Sequence, residues 1–228
     1  MEKNIGGAWN MIINPMNKPE IYFDLRDGYD TDSIVVREIW EENVYETHSS
    51  HFHKDGIVLD IGANIGSFSV YAASFGAKVF AIEPEPHNLD ALKTNINLNK
   101  MEEKIIVCPY AISDYKGTAV IHDSGGGASI KDLDKAGATV EVMTLDNFFS
   151  LYEIGSVDVM KIDVEGSESE IILAASRDNI NKCKYITMEF DIRSGNQMGS
   201  IVQKLSETHH VRTMGSWERG GMIFAWLY

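Results

Sequence analysis

Cysteine is scarce in this 228-residue chain: there are two, Cys108 and Cys183, both inside apolar runs. Neither has the spacing of a metal or redox pair, and two do not make a disulfide framework, so both are expected to be reduced core residues. Basic residues are also short, 20 Lys and Arg against 34 Asp and Glu, for a formal net charge of −14. Affinity for a nucleic-acid backbone comes mainly from Lys and Arg neutralising phosphates, so this balance argues against such a partner. No apolar stretch approaches the ~18 residues of a spanning helix and no charged-then-apolar leader is present, so a soluble, cytoplasmic protein is expected. Internal repeats and low-complexity tracts are absent. What remains is an ordinary globular composition, 44% hydrophobic and 24% charged. It suits one large domain, or a domain (46–228) with a small N-terminal extension or lid (1–45).

The first 30 residues hold short apolar runs, Met11 to Ile13 and Ile21 to Leu25, broken by Asn14-Pro15, Lys18-Pro19 and Asp27-Gly28. They read as a hairpin or lid. Asp32-Ser33 suits the cap of a helix reaching Glu42, with Ile34, Val35, Ile39 and Trp40 on its apolar face. From Gly56 onward, strands and helices alternate. The expected strands are 57–61, 78–82, 105–109, 157–162 and 185–190, and the expected helices 65–75, 86–99, 167–176 and 197–208. Two further strand-like segments, 118–122 and 139–144, flank Gly125-Gly126-Gly127, which reads as a mobile loop beside an acceptor cavity. Alternation of this kind predicts an α/β, doubly wound, mostly parallel sheet of seven strands, with strands that are continuously apolar because both faces are covered. The alternation stops at the C-terminus, where His210 to Met214 and Met222 to Leu227 read as an antiparallel hairpin tipped by Trp217-Glu218-Arg219. That tip faces either the substrate cleft or water.

The missing glycines are as informative as the ones present. Between Val58 and Phe68 an apolar strand ends on Asp60 and runs into a glycine turn and a helix start. A dinucleotide fingerprint needs glycine at the first, third and sixth positions, here Gly62, Asn64 and Ser67, and only the first fits. The pattern acid-x-Gly-x-x-x-Gly instead resembles the cofactor loop of S-adenosylmethionine-dependent methyltransferases. A side chain at Gly62 is expected to obstruct backbone approach to the ligand. About 20 residues on, the run Lys78 to Ile82 ends at Glu83-Pro84, where α/β nucleotide folds hold ribose hydroxyls. A carboxylate there accepts from both hydroxyls.

A second acidic signal lies in Asp158-Val159-Met160-Lys161-Ile162-Asp163-Val164-Glu165-Gly166. Alternation along a strand turns Lys161, Asp163 and Glu165 the same way. A lysine in a buried parallel strand is costly unless paired or functional, and carboxylates at a strand's carboxyl end lie where such folds bind ligands. The plain structural alternative is a Lys161–Asp163 ion pair that ties the strand down.

The two motifs together, Leu-Asp-Ile-Gly-Ala-Asn-Ile-Gly (59–66) and Lys-Ile-Asp-Val-Glu-Gly (161–166), resemble the FkbM-type family of S-adenosylmethionine-dependent methyltransferases. Ala111-Ile112-Ser113-Asp114, Gly117 and Thr144-Leu145-Asp146 also match its pattern, over roughly residues 35–190. The resemblance implies O-methylation of a hydroxyl on a small molecule, natural product or glycan, with S-adenosylmethionine as cofactor. It puts Asp60, Gly62, Ala63, Asn64 and Gly66 around the methionine portion, Glu83 with Pro84 at the ribose, and the Tyr110 and Ala111 backbone at the adenine. The family often has a polar residue where this chain has Pro109. His87 reads as a helix-start histidine facing water.

An alcohol needs a proton removed as it attacks, so a base is useful. Asp163 is the first candidate, Glu165 the second, and Lys161 would hold the carboxylate or stabilise developing negative charge. No resident metal is expected, although acids at two strand ends, Asp163 with Glu189 or Asp191, would suit a hard cation. His48, His51 and His53 match no closed zinc site and read as a flexible entrance loop. The other readings are a nucleic-acid or protein methyltransferase on the same fold, a nicotinamide-dependent oxidoreductase, and a silent binding protein. The missing Asn/Asp-Pro-Pro-aromatic motif and the broken fingerprint count against the first and the second of these.

Overall fold

The computed structural model describes residues 2–3, 9–13, 15, 18, 20–123, 128–129, 137–164, 166–190, 197–216 and 220–228. Glu165, the 125–127 glycines, Asp191 and the 217–219 tip, all singled out above, therefore lie outside the described residues.

The N-terminal part comprises strands β1 (Glu2–Lys3), β2 (Trp9–Ile13) and β3 (Phe23–Leu25), then helix α1 (Asp30–Arg37) and a π-helical turn at Glu38–Glu42. Next come β4 (Ile57–Ile61), α2 (Ser67–Ser74), β5 (Lys78–Ile82), α3 (Pro86–Leu98) and β6 (Ile105–Cys108). An insertion follows: β7 (Tyr110–Ser113), β8 (Gly117–Asp123), β9 (Ala128–Ser129), β10 (Ala138–Thr144) and α4 (Leu145–Leu151). The chain continues with β11 (Val157–Ile162), α5 (Glu168–Ala174), α6 (Arg177–Ile180), β12 (Cys183–Phe190) and α7 (Met198–Leu205). It ends in β13 (His209–Ser216) and β14 (Gly220–Leu227).

The main sheet has seven strands in the order β13-β14-β12-β11-β4-β5-β6. Strands β4, β5, β6, β11 and β12 are parallel, while β14 runs antiparallel to both β12 and β13. This is the expected doubly wound sheet with its closing hairpin. A smaller sheet, β7-β10-β8-β9, gathers the insertion. Each face of the main sheet has its own core. One is built from α2, α3 and the N-terminal part, with Phe23, Trp40, Tyr45, Phe52, Phe68 and Leu92. The other is built from α4, α5 and α7, with Phe80, Phe148, Ile171, Ile201 and Leu205. Burying each such side chain contributes roughly 1.5–3 kcal/mol, which the continuously apolar strands collect from both sides. Cys108 and Cys183 are buried free thiols, raised by that burial to about 11 and about 12.

Two local expectations are corrected, at α1 and at the histidine stretch. Helix α1 begins at Asp30, and Asp32 does not cap it. Its carboxylate is fully buried and paired with Arg26 instead. The chain after Pro109 continues as strand β7, whose Ala111 and Ile112 are buried and pair with β10. The expected 167–176 helix is present as α5, and the short α6 follows it beyond Ser176. Asp146 draws Ser176 out of helical pairing by accepting from its amide at 3.1 Å and its hydroxyl at 3.0 Å. The histidine stretch is built into the fold. Ser49–His51 form a 3-10 turn, the His48 amide donates to His51 Nδ1 (3.0 Å), and the His51 ring lies 4.5 Å from that of Tyr185. Among the described residues, no helix is long and apolar enough to cross a membrane.

Candidate active site

The carboxyl ends of β4, β5 and β11 meet at one place, where α/β sheets open a ligand crevice. The glycine turn after β4 is pinned to β5: the amides of Gly62 and Ala63 both donate to the Ile82 carbonyl, at 2.9 and 3.0 Å. Gly62 has φ +81°, and a Cβ on it would lie 1.8 Å from the Asp163 carbonyl oxygen. The missing side chain makes room first for the protein's own backbone, which brings β11 hard against the turn. Asn64 sits in the left-handed region (φ +50°), as does Gly66 (φ +86°), which starts α2 without a capping side chain. The first amides of α2 therefore have no side-chain acceptor. Beside them, the buried Ser67 Oγ has no hydrogen-bond partner among the described residues.

Asp60 lies beneath the turn, completely buried. Its Oδ2 accepts from the Ser69 hydroxyl at 2.6 Å, and the Lys161 ammonium is 3.3 Å from its Oδ1. Burial raises the Asp60 carboxyl, and Lys161 and Ser69 offset only part of that rise. Lys161 is 4% exposed; it donates to the Gly62 carbonyl at 2.6 Å and lies 3.5 Å from Asp163 Oδ2. Burial pulls its ammonium down, but Asp60 and Asp163 outweigh this and leave it above its ordinary value. A buried ammonium costs several kcal/mol in desolvation, and the two carboxylates and the carbonyl offset that cost. Register explains the meeting: Lys161 is aligned with Asp60 on β4, so both side chains leave the same face of adjacent strands.

Asp163 is the accessible member, with 29% of its side chain exposed. Its Oδ2 accepts from the Tyr45 hydroxyl at 2.8 Å, a contact across 118 residues. Burial first, then Asp163, holds the Tyr45 hydroxyl well above its usual range, so it stays a donor. Glu38 is raised by burial and by Asp163, and Glu189 acts on Tyr45, so both acids stand near this end of the sheet. Thr187, in register with Lys161 on β12, has a buried Oγ1 without a partner among the described residues.

Glu83 sits at the tip of β5, nearly buried. It accepts from the Asn64 amide (2.8 Å), the Glu85 amide (2.9 Å) and the Asn88 side chain (3.2 Å). Burial raises its carboxyl, with these bonds opposing. Three of about four acceptor positions are used. Pro84 follows it half-buried, and Glu85 caps α3 by accepting from the Asn88 amide at 2.6 Å. His87 is exposed near the start of α3. Tyr110 and Ala111 open β7, paired with Glu141 and Val142 of β10.

The N-terminal part reaches this site through Arg26. Its guanidinium grips the buried Asp32 at 2.6 and 3.0 Å, donates to Asn88 Oδ1 at 2.6 Å and reaches Asn64 Oδ1 at 3.4 Å. On the buried side of α3, Asn95 donates to the Ile65 carbonyl at 2.9 Å and accepts from the Asp24 amide at 2.7 Å. Sequence reasoning missed Arg26, Asp32, Tyr45 and Asn88. The one available signal was a pair of asparagines, Asn88 and Asn95, seven apart on the buried side of a helix.

The sheet order and the acid-flanked glycine turn at its crevice define a class I methyltransferase fold. Two solved structures share it: an rRNA methylase from Streptococcus thermophilus (8% identity, TM-score 0.52, 78% of this chain and 90% of that one) and a Streptococcus mutans protein crystallised with SAH (9%, 0.53, 82% and 97%). Residues 60–218 match the methyltransferase FkbM domain, and the chain belongs to that family. It is similar to the 2-O-methyltransferase NoeI of Sinorhizobium fredii (28% identity over 60% of this chain and 63% of NoeI). It is also similar to the hexuronic acid methyltransferase AglP of Haloferax volcanii (25% over 75% and 73%). A third relative is the 31-O-demethyl-FK506 methyltransferase FkbM of Streptomyces tacrolimicus (24% over 75% and 79%). The chain thus spans under two thirds of NoeI's length.

Proposed function

We propose that this chain transfers a methyl group from S-adenosylmethionine to a hydroxyl of a small molecule or glycan, with Asp163 as the base. The observation that carries the reading is the meeting of Asp163, Lys161 and Tyr45 with the glycine turn, one strand over from the Glu83 tip. The residues suit the cofactor. Among the described residues no side chain caps α2 and none pairs with the Ser67 hydroxyl, so both offer donors, and Glu83 keeps acceptor capacity for ribose hydroxyls. When bound, S-adenosylmethionine supplies a carbon already activated by its positive sulfur. Gly62, Ala63, Asn64 and Gly66 would shape the methionine end, Glu83 and Pro84 the ribose end, and the backbone of Tyr110 and Ala111 the adenine end. Asp60 acts from below, through Lys161 and Ser69. Residues 1–45 serve as the extension that braces this turn through Arg26, and residues 46–228 as the transferase domain.

The work left to the chain is positioning and one proton. Asp163 takes the acceptor's hydroxyl proton on its carboxylate as the oxygen attacks. Tyr45 and Lys161 fix the orientation of that carboxylate, leaving its exposed side to the acceptor. Glu165, two residues after Asp163 in the sequence, is retained as a second candidate acid. Relatives named for 2-O-methylation and for 31-O-demethyl-FK506 support a hydroxyl acceptor, and the one named for hexuronic acid supports a sugar acceptor. The net charge of −14 weighs against a nucleic-acid acceptor. In the test, Asp163→Asn is expected to lower turnover ~10²–10⁴-fold with cofactor affinity nearly unchanged and the melting temperature only modestly lowered, because Lys161 keeps Asp60 at 3.3 Å and the Gly62 carbonyl at 2.6 Å. A variant that melts early, and regains activity when assayed cold, would instead assign Asp163 to holding the fold.

A further inference from the structure

A cavity of about 530 Å³ lies on the N-terminal-part face of the sheet, toward the amino ends of β11 and β12. Its floor is aromatic. Tyr185 on β12 pairs in register with Trp226 on β14, and Thr187 with Phe224, so the Tyr185, Phe224 and Trp226 rings leave the same face side by side. Trp226 is 41% exposed, a large aromatic surface open to solvent. One wall is the 3-10 turn, whose His48 and His51 rings stack at 5.9 Å, with His51 lying on Tyr185. The rim carries two carboxylates, Asp158 and Glu46, each facing cationic or imidazole partners. Asp158 pairs with Lys184 at 2.7 Å and with His53 at 2.9 Å, and Glu46 pairs with Arg212.

These features select among ligand chemistries. The two rim cations each already face a carboxylate, so the cavity is not built for a phosphate or another compact anion. The polar rim makes it a poor home for a purely apolar ligand. Arg212 covers the Phe224 ring at 4.5 Å and His51 covers Tyr185, so Trp226 is the ring of the floor left open. One open aromatic face with paired donors and acceptors around it suits a molecule that is apolar on a face and hydroxyl-bearing around its perimeter. A sugar ring has that character, and the volume falls in the range of small-ligand sites.

The cavity is separate from the candidate active site but shares a wall with it. Tyr185 is aligned with Val159 of β11, four residues before Asp163, or about 13 Å at ~3.3 Å per residue. Tyr45 and Glu46 form the partition: the Tyr45 hydroxyl turns to Asp163 while Glu46 turns to Arg212. The Tyr185 hydroxyl donates to the Tyr45 carbonyl at 3.4 Å and ties the partition to the cavity floor. We propose that this cavity is a saccharide-binding subsite that holds a sugar unit of a glycan acceptor away from the unit that is methylated. Its role in methyl transfer rests on the function proposed above; its capacity to bind sugar does not.

The test is saturation-transfer NMR and calorimetry on the whole chain, without cofactor, against maltotriose, N,N′-diacetylchitobiose and a glucuronate-containing disaccharide. At least one is expected to bind, with Trp226→Ala weakening it about tenfold or more and Trp226→Phe largely restoring it. Trp226→Ala is expected to leave S-adenosylmethionine affinity unchanged. Failure of all three sugars to bind, or binding indifferent to Trp226→Ala, overturns the subsite. If sugars bind and S-adenosylmethionine does not, the subsite stands and the methyltransferase reading falls. If the cofactor binds and no sugar does, only the subsite falls.

Discussion

Replacing Arg26 should be felt both in stability and at the cofactor turn. Asp32 is fully buried, and its charge is matched by the Arg26 guanidinium at 2.6 Å. Removing one partner of a buried ion pair leaves an uncompensated charge, at a cost of about 3–5 kcal/mol. For a chain of this size each kcal/mol lowers the melting temperature by about 2–4 °C, so Arg26→Met is expected to melt roughly 6–20 °C below wild type. The same substitution removes the 2.6 Å bond to Asn88, which in turn donates to Glu83. Affinity for S-adenosylmethionine should therefore fall several-fold in the folded variant. Thermal and urea unfolding followed by circular dichroism give the first quantity, and calorimetry at a temperature where the variant is folded gives the second. The double variant Arg26→Met, Asp32→Asn removes the stranded charge and should recover most of the lost stability without restoring the affinity. A single variant that melts within about 2 °C of wild type, or a double variant no more stable than the single, would refute the reasoning.

Two further outcomes follow from the geometry. Gly62→Ala puts a carbon 1.8 Å from the Asp163 carbonyl at a left-handed φ, so it should cost about 2–4 kcal/mol in urea unfolding, with Gly62→Val adding little because the first carbon already clashes. Asp146 is opposed by burial but held below its ordinary 3.8 by Asn179 and Ser176. A depressed carboxyl contributes stability above its unfolded value and loses it as pH falls through the folded one. Asp146→Asn should therefore be about 1–3 kcal/mol less stable than wild type at pH 7, with the gap closing below about pH 4 in pH-dependent denaturation.

Much of the fold was legible because its signals are local. The runs 57–61, 78–82 and 157–162 are apolar at almost every position, as strands covered on both faces must be, and the sheet follows from their alternation with helices. The closing hairpin was legible for the same reason. The juxtaposition of Lys161 and Asp163 followed from strand periodicity alone. Other parts were written in long-range pairings that no periodicity reports. Asp32 looks like a cap because capping is a local rule, while its partner Arg26 lies across a turn. Tyr45 stands 118 residues from the carboxylate it binds, and nothing in its neighbours marks it. Gly62 was readable as a turn glycine, yet the atom that forbids a side chain there belongs to Asp163, which only the folded sheet brings close.

The central claim is that the crevice between the glycine turn and Glu83 holds S-adenosylmethionine, and titration calorimetry tests it most directly. Wild type should bind S-adenosylmethionine and its demethylated product but not NAD. Glu83→Ala should weaken that binding by ~1.5–3 kcal/mol, the worth of charged hydrogen bonds, or about 10- to 150-fold. Equal affinity in wild type and Glu83→Ala, or binding of NAD in place of S-adenosylmethionine, would contradict the account.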